Sequence, residues 1–454
     1  MSLSVTADTH TESHRLRSKL AANFGWLGMQ KIAVILIGMA TTGLLARYLG
    51  PTQSGVLASA QALAAMFGLL ALGVDATVFY DQLHRQPQSE SAIMGGTTAV
   101  LAVCGLLSWL LLAAYLLLFC RENGLFVAVA LVSGLRLLIT FPAPVAMWFQ
   151  SQMHTRDVVV PNMIGVLVLR GWQCFAAALA LGVAWVAFSE VLSLLFIMVV
   201  SFAAYARHGK SIRAWTCDWS AGWEVMTRSV PAIIAGTLAV FLNKLDVLML
   251  SWYVVPSEVG YYSTASSLTE SLLFLGGMTA SVFTPVLLRT RERGGLFYSG
   301  ALLAHLRVSA FAGWVLAAGL SLTAALAVWL VFGDQYGPSA TILRVHAFML
   351  VPSLIGATMQ CHLTLERRLK YLTVNLIVAL ALNAALNSVL IPAYGGVGAA
   401  VASILAATTA HVLVPLLLPT TRVFGLRAAW AIITPLPDIT AITGPAKDHE
   451  KTPS

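Results

Sequence analysis

Residues 48–55, YLGPTQSG, return 205 positions later as residues 253–260, YVVPSEVG. Tyr, Pro and Gly keep one spacing in both copies, and Ala60 and Ala265 follow at the same offset. A second echo joins Gly182-Val183 through Ser189 to Gly396-Val397 through Ser403. In both copies the Pro and the Gly lie in a polar turn that follows a long apolar run, where chance similarity is weaker than within the runs. The chain therefore reads as two repeats, each entered by an apolar segment that ends in the same turn.

The rest of the composition says what solvent these repeats face. Of 454 residues, 58% are hydrophobic and 10% charged, against about 25% charged in an ordinary soluble domain. So little charge cannot cover a soluble surface of this size, so most of the exterior faces lipid. A hydrocarbon core about 30 Å thick takes about 20 apolar residues per helix. The apolar runs give spans near 24–46, 55–80, 92–119, 125–149, 158–181, 184–206, 229–252, 261–288, 308–332, 341–365, 371–392 and 397–418. The expectation is an all-α membrane protein of about 12 transmembrane helices. They form two six-helix bundles, a parallel pseudo-two-fold repeat around a central cavity.

The expected organisation is a cytoplasmic tail at 1–23, a first bundle at 24–206 and a cytoplasmic linker at 207–228. A second bundle follows at 229–418, then a cytoplasmic tail at 419–454. Residues 426–437 are apolar but too short and proline-rich to span, and read as interfacial. Residues 1–23 lack the apolar core of a cleaved signal peptide. With the N-terminus inside, nineteen Lys and Arg fall in inside segments and only Arg47 and Arg121 outside. This bias sets both termini in the cytoplasm, and an odd span count would scramble it. It also accounts for the formal charge of +8 without nucleic acid. Five cysteines without CxxC spacing read as reduced thiols, neither metal ligands nor disulfides.

Seven ionisable residues fall inside the apolar runs: Lys31, Arg136, Arg170, Glu190, Lys244, Asp246 and Glu270. At about 2.5–3.5 kcal/mol each, seven facing lipid would cost about 20 kcal/mol, more than the net stability of a typical fold. They must face water or one another, and a wet path between two bundles provides both. Arg136 and Arg170 lie midway along adjacent spans, and a guanidinium fork fits phosphate oxygens. Together they read as an anion clamp, with Lys31 and Lys244 as further cations; the structural alternative pairs the arginines with Glu190 or backbone carbonyls and lets Lys31 snorkel to the cytoplasmic end. Lys244 and Asp246 stand two apart and do not share a helix face. Glu270, Asp246 and Glu190 are the candidates for ion coupling, and Glu270 could equally partner Lys244. Asp75 and Arg307 lie near cytoplasmic ends, where solvation accounts for them. Pro142, Pro144, Pro231, Pro285 and Pro352 interrupt spans and permit bends.

The stretch Arg47-Tyr-Leu-Gly-Pro51-x-x-x-Gly55, with Ala60-Gln61 and Leu72-Gly73-Val-Asp75, resembles the start of bacterial polysaccharide-repeat-unit flippases. Lys244-Leu-Asp246-Val-Leu-Met-Leu250 and Val259-Gly260-Tyr-Tyr-Ser263-x-Ala265 resemble that family's seventh and eighth helices. The likeness covers about residues 20–420. It points to the oligosaccharidyl-lipid flippase group of the multidrug and polysaccharide exporter superfamily. Lys244 departs from the pattern, since Arg is common there; it keeps the charge and loses the bidentate fork.

The resemblance implies two bundles around a cationic cavity and alternating access. It implies an oligosaccharide on a polyprenyl diphosphate as substrate, moved across the inner membrane for O-antigen, capsule or exopolysaccharide synthesis. A polysaccharide polymerase and a chain-length regulator are the protein partners such a role calls for. No cofactor is expected, and no GxxxxGK[ST] loop for ATP is present, so H+ or Na+ gradients or substrate flux would supply the energy. One alternative is a cation-coupled multidrug exporter of the same superfamily. The other is a membrane polysaccharide polymerase or glycosyltransferase, which the short outside loops disfavour.

Overall fold

The computed structural model describes residues 4–68, 74–120 and 123–436, with side chains described from Val34 onward apart from a few positions. The described residues are helical or in turns, with no β-strand among them. The first half runs α1 (Ser4–Phe67), α2 (Ala76–Arg85), α3 (Glu90–Phe119), α4 (Gly124–Gly134), α5 (Ala143–Ser151), α6 (Thr155–Ala178) and α7 (Val183–Arg207). The second runs α8 (Trp219–Tyr253), α9 (Pro256–Glu270), α10 (Phe274–Arg293), α11 (Gly295–Leu322) and α12 (Ala324–Phe332). It continues through α13 (Gly337–His346), α14 (Leu350–Leu365), α15 (Leu369–Thr408), a π-helical turn Thr409–Leu413, α16 (Val414–Leu417) and α17 (Arg422–Ile433).

Among the described residues, eight helical stretches are long and apolar enough to cross a membrane, nine if the bent pair Gly124–Ile139 and Ala143–Ser151 is one span. That pair bends by 43° at Pro142 and its neighbours, where proline removes a backbone donor. The stretch Lys370–Leu417 holds two of the expected spans. Gly395, at φ 55°, breaks α15, and a Cβ on Gly398 would overlap the carbonyl of Leu390. Two residues eight apart can touch that way only if the helix folds back. Gly50, at φ 70°, breaks α1 in the same fashion just before Pro51. With both helices divided at these glycines, each of the twelve expected spans has a helical counterpart.

The quoted repeat explains how the halves meet. α1 packs most extensively on α9. A Cβ on Gly55 would overlap the carbonyl oxygen of Pro256 and lie 2.9 Å from the nitrogen of Gly260; one on Gly260 would overlap the carbonyl of Pro51 and lie 3.2 Å from the nitrogen of Gly55. Each repeat's proline thus faces the other's glycine, the self-complementary contact a two-fold axis produces. Only hydrogen on Cα lets two helix backbones approach so closely. Around this crossing, Arg47 Nη2 donates to Leu330 O at 2.6 Å, Gln335 Nε2 to Arg47 O at 3.0 Å, and Tyr336 OH to Ala46 O at 3.1 Å. Tyr336 is fully buried there beside Leu250, Val259 and Phe332. This turn end is closed by backbone contact and direct hydrogen bonds.

At the opposite, linker end the two halves share α8. Its first turns lie on α3, where a Cβ on Gly222 would overlap Gly96 O and one on Gly96 would sit 2.8 Å from Gly222 N. Arg228 Nη1 donates to Gln82 Oε1 at 3.0 Å. Asp75 caps α2, accepting from Thr77 N at 2.9 Å and Val78 N at 3.2 Å, while its own N–H donates to Ser229 Oγ at 3.0 Å. The far turns of α8, from Asp246 to Leu250, are buried among α9 and α15. Pro231 lies between these two attachments, within a stretch exposed from Val230 to Ala232.

After α16 the chain turns at Pro419–Thr421, and α17 doubles back along α11. A Cβ on Gly425 would overlap Leu416 N, and Trp314 Nε1 donates to Ile432 O at 3.1 Å. Phe424, Ala428 and Ala431 enter the core of α11 and α14, while Val423, Leu426, Trp430 and Ile433 remain exposed.

Candidate functional site

A charged network crosses the spans of the first half. Arg136 lies in a 3-10 turn, Leu135–Ile139, where the fourth span breaks. Its Nη1 is 3.1 Å from Glu190 Oε2 on α7, and Gln61 Nε2 on α1 donates to Glu190 Oε1 at 2.7 Å. Arg170, on α6, donates from Nη1 to Gln173 Oε1 at 3.0 Å, and Gln173 Nε2 donates to Ser189 Oγ at 3.2 Å. Ser189 and Glu190 are neighbours on α7, so one point of that helix holds both arginines. Arg170 also faces α1: its Nη1 is 3.5 Å from Thr42 Oγ1, and a Cβ on Gly38 would lie 3.3 Å from its Nη2. Its Nε is buried without an acceptor among the described residues. Glu190 pairs with Arg136 while Arg170 is held only by neutral partners, which leaves the network with a surplus positive charge and an unused donor.

Of the expected cations, Arg136 meets Glu190 directly, and Arg170 is tied to the preceding residue of α7 through Gln173. Arg136 is the one that makes the ion pair, at 28% exposure against 24% for Glu190. Lys244 lies in the second half, half-buried, with no carboxylate within 4 Å among the described residues. The side chain of Lys31 falls outside the described residues. Glu270 ends α9, where the chain breaks before α10, and the residue is exposed. Lys244, its expected partner, makes no ion pair with it among the described residues.

Asp246 turns the other way, into the second half, and is 6% exposed. Asn387 Nδ2 donates to its Oδ1 at 2.7 Å, Tyr262 OH to its Oδ2 at 2.9 Å, and Ser403 Oγ to the same oxygen. Asn387 Nδ2 also reaches Asn383 Oδ1 at 3.0 Å. The carboxylate has donors but makes no ion pair among the described residues. Asn383 Nδ2 and Asn387 Oδ1 are left without partners, and the ring of His346 stands edge-on to Tyr262 at 5.7 Å. A cavity of about 480 Å³ opens beside this cluster, lined among others by Gly236, Asn243, Asp246, Gln360, Asn383 and Ser403. Buried carboxylate, amide and hydroxyl oxygens converging on a cavity suit a hard cation or a proton.

A search limited to ionisable residues finds Asp246 and misses its partners. Asn383 and Asn387 stand four apart in the apolar run ALALNAALNSVL, residues 379–390, the spacing that places two side chains on one helix face. That signal was present in the sequence. Ser403 belongs to the second echo and Tyr262 to the turn that follows Pro256, but only the fold brings either to Asp246.

A sequence profile described as "polysaccharide biosynthesis protein" matches residues 44–341, and the chain belongs to that family. Among solved structures the chain is similar to the lipid II flippase MurJ in an inward closed conformation, with TM-score 0.69, 13% identity, and 94% of this chain and 93% of the other covered. It is also similar to a multidrug resistance MATE family transporter of the MOP superfamily. The inward-facing form gives TM-score 0.61 and 13% identity over 92% of this chain and 99% of the other. The outward-facing form gives TM-score 0.55 and 14% identity over 90% and 94%. At these identities the likeness establishes the fold, that of the MurJ and MATE transporters. No curated protein matches the sequence.

Proposed function

We propose that this chain is a flippase, not an enzyme, that carries a polyprenyl-diphosphate-linked oligosaccharide across the bacterial inner membrane by alternating access, for surface polysaccharide synthesis. The observation that carries the reading is the cationic network of the first half, where Arg136 and Arg170 outnumber Glu190. A diphosphate supplies the oxygens that the free donors of Arg170 lack. In this reading Lys244 meets the same headgroup from the second half, and the prenyl chain stays in lipid. The family, a polysaccharide biosynthesis one, and the fold shared with a lipid II flippase support a lipid-linked glycan over a free drug.

The bias of Lys and Arg supports cytoplasmic termini, which makes the closed turn end the outer one. The linker end is then where substrate enters, and Pro231 of α8 is the point at which the halves rock. Asp246 with Asn383, Asn387 and Ser403 is the coupling site for H+ or Na+. A polymerase and a chain-length regulator would act on the delivered unit. The test is to delete the protein and identify the lipid-linked species that accumulates by mass spectrometry, then restore the strain with Arg170→Ala at matched expression. Accumulation of a polyprenyl-diphosphate glycan that wild type clears and Arg170→Ala does not is the expected result. A strain that accumulates none removes the proposal.

A second reading, a cation-coupled drug exporter, draws on the acid Asp246 lining the cavity and on the MATE fold. A deletion strain hypersensitive to cationic drugs, with normal surface glycan, would favour it.

A further inference from the structure

His154, Asp157 and His208 meet at the linker end of the first half, apart from both networks above. His154 closes the turn between α5 and α6, Asp157 lies in the first turn of α6, and His208 follows the last turn of α7. Histidines so far apart in sequence show no ligand spacing, and the fold alone unites them. One ligand atom from each of the three lies within 4.8 Å of the others. His208 Nε2 is 3.1 Å from Asp157 Oδ2, and the two imidazoles stack with centroids 4.6 Å apart.

The local backbone is shaped to make this meeting. Met153 holds φ 57° and Gly209 φ 73°, one on each side of the cluster. A left-handed non-glycine residue costs about 1–2 kcal/mol, and Met153 is 88% exposed, so its side chain returns nothing in packing. What the turn achieves is to bring His154 inward, against Trp148 and Phe149. There its Nδ1 is buried without a partner among the described residues, although a buried nitrogen left unmatched costs about 1–3 kcal/mol. One nearby cation is already matched: Lys210 Nζ lies 2.8 Å from Glu90 Oε1, so it does not repel a second positive charge at full strength.

We propose that these three side chains bind a transition-metal ion of the Zn2+ class, through one nitrogen of each imidazole and one carboxylate oxygen. Two imidazoles and a carboxylate are a common zinc set that leaves a fourth position for water. The rings lie 25° from parallel, so one of them rotates about its Cβ–Cγ bond to share the ion. His208 is exposed and has the room. The ion ties the α5–α6 turn to the end of α7, where the chain leaves for the second half, and so stiffens the joint on which α8 is mounted.

The test uses the full-length protein in detergent, stripped with a chelator. Co2+ serves as a spectroscopic probe and Zn2+ as competitor, with melting temperature read alongside. One Co2+ per chain, displaced by Zn2+, is expected, with affinity lowered about tenfold or more in each of His154→Ala, His208→Ala and Asp157→Asn. Zn2+ should raise the melting temperature of wild type and not of His208→Ala, whose exposed position keeps the fold intact. Absence of a saturable Co2+ site, or binding that both histidine variants retain, overturns the proposal.

Discussion

Replacing Gly260 by Ala tests whether the backbone crossing at the turn end holds the two halves shut. The added Cβ would overlap the carbonyl of Pro51 and lie 3.2 Å from the nitrogen of Gly55. Neither is the end of a flexible side chain, so one helix must shift. Overpacking of this kind costs about 1–3 kcal/mol, and a backbone-on-backbone contact belongs in the upper part of that range. The helix propensity gained by Ala, about 0.5–1 kcal/mol, is gained in the open state as well and cancels. A penalty of about 2–3 kcal/mol on the closed seam alone, at 1.4 kcal/mol per factor of ten, shifts the closed-to-open ratio by about 30- to 150-fold. Since competing conformers differ by a few kcal/mol, that is enough to populate the state open at the turn end. Spin labels at Gln53→Cys and Val255→Cys, both exposed and on opposite halves, would report it in a background without the five native cysteines. Gly277→Ala is the control, because nothing lies within 4 Å of its Cβ. Gly55→Ala should act as Gly260→Ala does. Distance distributions in both variants that match Gly277→Ala would refute the view that this crossing holds the two halves shut.

Three further outcomes follow from the same geometry. Glu190→Gln removes the carboxylate paired with Arg136; binding of a polyprenyl diphosphate, measured by native mass spectrometry, should tighten, whereas a lower melting temperature with unchanged binding would reduce the arginines to helix ties. Asp246→Asn keeps the shape but gives up charge-assisted hydrogen bonds from Tyr262, Asn387 and Ser403, each worth about 1.5–3 kcal/mol. Transport into vesicles by this variant should no longer respond to an imposed H+ or Na+ gradient, and a full response would exclude Asp246 as the coupling group. Phe424→Ala empties a nearly closed slot against His362, on which Phe424 stacks at 5.5 Å. It should cost about 3–5 kcal/mol, read as a clear fall in melting temperature, and an unchanged value would mean that α17 does not belong to the core.

Periodicity, charge and repeat are local properties, and they were enough for the class of fold. Low charge required lipid contact, the apolar runs set the spans, and a Pro and a Gly shared at one offset announced two related halves. The same reasoning located Asp246, Glu190, Arg136 and Arg170, because a charge in an apolar run is conspicuous wherever its side chain points. What those charges touch is a different matter. That Arg136 pairs with Glu190 while Arg170 keeps a free donor depends on how α6 and α7 are rotated against each other. That Asp246 meets Asn387 and Ser403 depends on α15 folding back at Gly395. The meeting of Pro51 with Gly260, and of His154 with His208, likewise required the packed chain. Sequence by itself determined which residues could not face lipid, since transfer energy belongs to each side chain. Only the tertiary structure decided their partners, since a contact belongs to two helices and to the angle between them.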